Sequence, residues 1–202
     1  MTESFGEVLR RYAAAHNDAG TDKTTTHAYG PLYSSLFEPL RDSARWVMEV
    51  GVYSGAATAA MADFFTGATV VGLDVDLGRL RFAQDHPRVR YLRQDATSSS
   101  ARADILASLG GVGASFDLIL DDASHRKRDQ LTAFEELAPL LRRDGGTYVI
   151  EDIMGDWELG SFRADLDALR VRMFGAERSK LEWYDMRKVR GVPNDIVAVV
   201  HV

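Results

Sequence analysis

From Trp46 onward the chain alternates between short apolar runs and longer segments with helical spacing. WVMEVGV, TVVGLDV, VRYL, FDLILDD and GTYVIED are rich in Val and Ile, and Gly, Asp or Pro bound each of them. Between them lie AATAAMADFF, LGRLRFAQ, ARADILASL and RDQLTAFEELAPLLRR, which carry apolar residues in a helical pattern. Strands alternating with helices imply crossovers, and so a parallel sheet covered on both faces. The last two strand-like runs, KLEWYDM and DIVAVVHV, are separated only by KVRGVPN. That link is too short for a crossover helix, so these two should pair antiparallel. Ahead of the first strand the pattern predicts an amphipathic helix over 4–16, a polar stretch GTDKTTTHAYGP and a second helix over 32–41. The reading is one α/β unit of seven strands, five parallel plus a closing antiparallel hairpin, with a helical N-terminal extension. There is no internal repeat, low-complexity tract or linker.

Composition narrows this picture. At 202 residues the chain suits one domain with a sizeable core. Its 46% hydrophobic and 27% charged residues are ordinary for a soluble globular protein. A formal charge of -6 argues against nucleic acid or an anionic membrane as the main partner. With no cysteine there is no disulfide, thiolate nucleophile or cysteine zinc site. The first residues, MTESFGEVLRR, lack the apolar stretch of a signal peptide, and no run approaches a membrane span, so a cytoplasmic enzyme is expected.

In open sheets of this kind ligands bind beyond the carboxyl ends of the strands, which limits the search to the residues there. The first strand ends in Glu49-Val50-Gly51-Val52-Tyr53-Ser54-Gly55. This is a glycine turn without the second glycine that lets backbone approach a pyrophosphate; Tyr53 stands there, which disfavours a dinucleotide. An adenosyl cofactor without phosphates needs no such approach. The second strand ends at Asp74, 23 positions after Gly51, a spacing that suits hydrogen bonds to ribose hydroxyls. Asp76 suits an N-cap for a following helix. The third strand ends at Gln94-Asp95-Ala96, where Asp95 suits an adenine amino group, or is a plain turn residue. Together, E-x-G-x-x-x-G, Asp74 and Asp95 resemble a class I S-adenosylmethionine-dependent methyltransferase with a Rossmann-like doubly wound sheet. On that resemblance residues 46–202 are the Rossmann-like core and 1–45 a helical lid or extension of a single domain spanning 1–202. Glu49, Gly51, Ser54, Asp74, Asp95 and Asp121 would bind the cofactor.

The fourth strand ends in Asp121-Asp122 and the fifth in Glu151-Asp152. Neighbouring parallel strands bring these ends together, and like charges crowded there raise a pKa or call for a cation. Oxygen donors without thiolate suit Mg²⁺, with Mn²⁺ and Ca²⁺ as alternatives. Asp122, Glu151 and Asp152 are the expected ligands, and Asp121 the acid facing the cofactor. The plain alternative is that these acids cap helices and stay solvated. His125 follows three residues after Asp122 at a helix start, where a dication and the helix dipole both favour the neutral ring of a base. His16, His86 and His201 have no comparable setting.

DDASH, YVIED and the upstream GTDKTTTHAYGPLY resemble the metal-dependent O-methyltransferases that act on sugars of macrolide and other polyketide antibiotics, the mycinamicin and macrocin type. The resemblance implies Mg²⁺ on Asp122, Glu151 and Asp152, and His125 as general base. It also implies a lid and cofactor-proximal region around Asp22, Lys23, His27 and Tyr29. The expected partner is a small-molecule acceptor, a glycosylated polyketide or related natural product. A homo-oligomer is compatible with the sequence, which sets no assembly size. The chain departs from the best-known macrolide enzyme of this type, which carries a large extra N-terminal domain. Trp157 and the Arg187, Lys188, Arg190 group are candidate acceptor contacts, or a packed loop anchor and a solvated turn. Two other readings fit the strand-end acids: a catechol-type enzyme with a phenolic acceptor, and a cephalosporin-hydroxylase-like or adenosyl-binding protein without methyl transfer.

Overall fold

The computed structural model describes residues 2–14, 19–111, 113, 115–155 and 158–202. Its seven strands are β1 (Trp46–Val50), β2 (Thr69–Asp74), β3 (Val89–Arg93), β4 (Leu118–Asp121), β5 (Thr147–Ile150), β6 (Lys180–Asp185) and β7 (Ile196–His201). They form one sheet in the order β3-β2-β1-β4-β5-β7-β6. The first five run parallel, and β7 lies antiparallel to both β5 and β6. The expected parallel core and closing antiparallel pair are borne out. The order reverses between β1 and β4, which is where an open α/β sheet leaves a crevice.

Strand residues alternate between two apolar layers. Met48, Val50, Val71, Ile119 and Ile150 pack on one face, against α4 (Ala101–Ser108), α5 (Lys127–Leu137) and α6 (Leu159–Phe174). Val47, Val70, Leu118, Leu120 and Val149 pack on the other, against α1 (Phe5–Ala14), α2 (Gly30–Phe37) and α3 (Ala56–Phe64). The period of two in the strands thus places covering helices on both faces.

The N-terminal helices are fixed by aromatic packing. Phe5 lies 5.1 Å from both Phe37 and Phe64, ring centre to ring centre, and Tyr33 stacks on Phe37 at 5.1 Å. Ser4 and Glu7 cap α1 reciprocally: Glu7 accepts from the Ser4 N–H at 2.7 Å and Ser4 from the Glu7 N–H at 3.4 Å. The expected end of this helix at His16 lies outside the described residues.

Residues 77–84, expected to be a helix, form turns instead. Their backbone donors go elsewhere: the N–H groups of Arg81 and Phe82 both bond to the Ser54 carbonyl, at 2.8 and 3.1 Å. Asp76 accepts from the Gly78 N–H at 2.9 Å, so it caps a turn and not a helix. Helix α6 was not among the expected segments. It buries Phe162, Leu166, Arg170 and Phe174, four residues apart on one stripe. The link between β6 and β7 holds one turn of helix, α7 (Arg187–Arg190), and still returns the chain antiparallel. Among the described residues no helix is long and apolar enough to cross a membrane.

Candidate functional site

The two larger of the cavities at the carboxyl edge, among the described residues, share Gly51 in their walls. Gly51 has φ +87, and a Cβ there would lie 2.3 Å from the Asp122 carbonyl oxygen. Only glycine lets the turn after β1 approach the end of β4 this closely. Gly55, at φ +82, then starts α3.

The smaller cavity, about 320 Å³, is lined by Asp74, Asp95, Ala96, Asp121 and Gln130 among others. Asp74 accepts from the Tyr53 N–H at 3.1 Å, which ties the ends of β1 and β2 together. Asp95 Oδ1 accepts from the N–H and hydroxyl of Thr97, at 2.9 and 2.7 Å, and these bonds hold its carboxyl below the usual range. Asp95 therefore serves the turn while lining the cavity. Burial pushes the Asp121 carboxyl up to about 7, against hydrogen bonds from Ala123 and Tyr148.

The larger cavity, about 670 Å³, is lined by Lys23, Glu49, Ser54, Asp122, His125 and Asp152 among others. Glu49 is buried and accepts from the Thr58 hydroxyl; burial pushes its carboxyl up to about 7. Ser54 donates its hydroxyl to the Ala19 carbonyl at 2.5 Å, fastening the N-terminal segment over the glycine turn. The structure thus brings Glu49, Gly51 and Ser54 to one cavity and Asp74, Asp95 and Asp121 to the other, with Gly51 shared. Tyr29 is not with either group. It is fully buried, and its hydroxyl donates to Asp152 from behind the acidic corner.

Asp122, Glu151 and Asp152 meet at this corner because the β4–β5 register runs straight into it: the Glu151 N–H bonds the Asp121 carbonyl at 3.0 Å. Asp152 has φ +52, an unfavourable backbone for a non-glycine residue, which turns it away from the strand path. His125, half exposed, has Nδ1 3.9 Å from Asp152 Oδ2. Asp122, His125 and Asp152 each offer one ligand atom, all within 4.8 Å of one another. The carboxylates of Asp122 and Asp152 are the hard oxygen donors that suit Mg²⁺, whereas the His125 imidazole is a donor that such an ion seldom takes. Glu151 stands apart from that trio. Its Oε2 accepts from Lys23 Nζ at 2.8 Å, and the same ammonium bonds Asp122. Burial raises the carboxyls of Asp122 and Glu151. Burial works against the charge on Lys23 too, but the carboxylates of Asp122, Glu151 and Glu49 outweigh it and hold the ammonium well above its usual range.

A second layer lies behind this corner; His27 and Tyr29 were expected in the lid region, and Asp195 was not expected. His27 Nδ1 lies 2.5 Å from Asp195 Oδ1 and 3.5 Å from Asp152 Oδ1, and its ring stacks on Tyr29 at 4.9 Å. Asp195 is wholly buried. It stands just before β7, whose reversed direction delivers its first residues, and not its last, to the carboxyl edge. That reversal was the signal available in the sequence. Among the candidate acceptor contacts, Arg187 is paired with Asp185 at 2.6 Å, and Arg190 donates to the carbonyls of Thr24 and Thr25. Trp157 lies outside the described residues.

A seven-stranded sheet in this order, with its ligand cavities at the glycine turn after β1, defines an S-adenosylmethionine-type methyltransferase fold. The chain belongs to the methyltransferase-domain family, whose sequence profile matches residues 48–153. It is 32% identical over 142 residues to the 8-demethyl-8-alpha-L-rhamnosyl tetracenomycin-C 2'-O-methyltransferase of Streptomyces olivaceus, covering 66% of this chain and 35% of that protein. It is 30% identical over 135 residues to the mycinamicin VI 2''-O-methyltransferase of Micromonospora griseorubida, covering 63% and 32%. The aligned stretch thus takes up about a third of each of these relatives. The fold matches that of the MycE methyltransferase of the mycinamycin pathway, solved with Mg, SAH and mycinamycin VI. The TM-score is 0.68 at 22% identity, over 98% of this chain and 54% of that one.

Proposed function

We propose that this chain carries an S-adenosylmethionine-dependent, divalent-cation-assisted O-methyltransferase activity toward a hydroxyl on a sugar of a glycosylated polyketide or related natural product. The observation that carries the reading is the convergence of Asp122, His125 and Asp152 on the wall of the larger cavity, across Gly51 from the smaller one. The names of the relatives, sugar O-methyltransferases acting on tetracenomycin and mycinamicin compounds, support the acceptor class.

When bound, the cofactor would supply the methyl group of its sulfonium, and the cation the positive charge that lowers the pKa of an acceptor hydroxyl. Asp74 accepts hydrogen bonds from ribose hydroxyls at the mouth of the smaller cavity. Glu49, a buried carboxyl beside the glycine turn, would meet the cofactor's ammonium group. Asp122, Glu151 and Asp152 would hold the cation, leaving the His125 ring uncoordinated beside it. His125 would accept the proton of the acceptor hydroxyl on a free ring nitrogen, as a general base.

Titration calorimetry of S-adenosylhomocysteine into the Mg²⁺-loaded protein tests the cofactor half. One micromolar site per chain is expected, and a folded sample with no binding would overturn the reading. Methyl transfer to glycosylated polyketides, with and without EDTA, tests the rest. Activity on simple catechols alone, insensitive to loss of His125, would assign a phenolic acceptor instead.

A further inference from the structure

Lys23 is 2% exposed, and a lysine buried this deeply is stable only when paired. It does not come from the sheet that builds the acidic corner. It comes from the segment between α1 and α2, and it reaches across to the ends of two strands, β4 and β5, to bond Asp122 and Glu151. An ammonium offers three donors and accepts nothing, so it can stand among carboxylates much as a small cation does. The two acids it holds are two of the three that the sequence marks as metal ligands. Asp122 is shared with the convergent trio, whereas Glu151 is drawn away from it. A dication at the trio would lie close to the Lys23 charge, and the two cations repel while drawing on the same carboxylate.

We propose that Lys23 is the resident cation of this corner. It competes with a divalent ion for Asp122 and Glu151, sets how tightly the corner holds metal, and keeps those two carboxylates from repelling one another when no metal is bound. This rests on the metal-binding reading above. Lys23 is a positioning residue here, since it acts on the ion through the ligands. The consequence is reciprocal: metal that takes Asp122 loosens the hold on the segment carrying Lys23, so the ion and the cover of the larger cavity are linked.

The test compares the wild type with Lys23→Met and Lys23→Arg at one fixed pH. Mn²⁺ binding is measured by calorimetry, and Tm is measured in EDTA and in saturating Mg²⁺. Removing the ammonium should tighten Mn²⁺ binding by about ten-fold or more, within the usual range of coupling between two sites, while Lys23→Arg stays near the wild type. Lys23→Met should lower Tm in EDTA and recover most of the loss in Mg²⁺, because ligand binding stabilises the folded state by mass action. A variant that folds only with metal supports the proposal equally, and Lys23→Gln repeats the measurement if Lys23→Met does not fold at all. Unchanged or weaker Mn²⁺ binding in a folded neutral variant, or an equal Tm loss in both conditions, overturns the role of Lys23 alone. No Mn²⁺ binding by the wild type or any variant overturns the metal reading along with it.

Discussion

Asp121 and Asp122 are consecutive in the chain and line different cavities, Asp121 the smaller and Asp122 the larger. Asp121 is the last residue of β4 and Asp122 the first beyond it, so the alternation of the strand sends the two side chains apart. One dipeptide thereby faces two cavities.

Replacing one acid at a time should separate the ligands. Asp122→Asn should weaken Mg²⁺ or Mn²⁺ binding by at least ~10-fold, on the scale seen for groups that support metal ligands, and leave S-adenosylhomocysteine binding nearly unchanged. Asp121→Asn should do the reverse. Calorimetry with each ligand reads both outcomes, and parallel losses in both variants would count against the division.

For His125, half exposed beside Asp152, the chemistry predicts a turnover effect. His125→Gln should lower kcat by roughly 10²–10⁴-fold, the usual worth of a general base, with cofactor affinity retained. Wild-type turnover in this variant would remove the base assignment.

Glu49 gives a pH signature in stability. Burial raises its carboxyl from 4.5 to about 7; nearby Lys23 and the Thr58 hydroxyl pull it down, and Asp122 and Asp74 push it up. The folded value exceeds the unfolded one, so its contribution to stability is fully present below about 4.5 and is lost as pH rises through about 7. Glu49→Gln, neutral throughout, should therefore gain on the wild type as pH rises from 5 to 8, by up to about 3 kcal/mol. Denaturant unfolding of both proteins across that range gives the comparison, and parallel curves would refute it.

Gly51→Ala should damage both cavities at once. Its Cβ would press on the Asp122 carbonyl at 2.3 Å, with φ at +87. A loss of at least about 1–3 kcal/mol is expected from the backbone alone, together with weakened binding of cofactor and metal. A variant of wild-type Tm would show that the two loops can move apart freely.

Much of the fold was legible because β1, β2, β4 and β5 are buried on both faces and read as continuous apolar runs. The acids at their ends stood out against those runs. Segment 77–84 misled because LGRLRFAQ has helical spacing, and only the Ser54 carbonyl, more than twenty residues back in the chain, decides where its donors go. Asp195, and the burial of Lys23 within a segment marked only by its resemblance, were opaque for a related reason. Each looks like a polar turn residue locally, TDKT and PND, and becomes buried only through partners about a hundred positions away or more. Charge in a turn carries no mark of the charge it will meet.

The position of β7 has a consequence for how the protein is made. Among the described strands, the one that covers the β5 edge is made after all the others, so β5 emerges with Tyr148, Val149 and Ile150 unpaired on that side. Until residues 196–201 arrive, a nascent chain presents a sticky apolar edge, and the His27–Asp195 contact cannot form. The acidic corner is therefore complete only once β7 has paired with β5, a long-range closure that joins residues far apart in the chain.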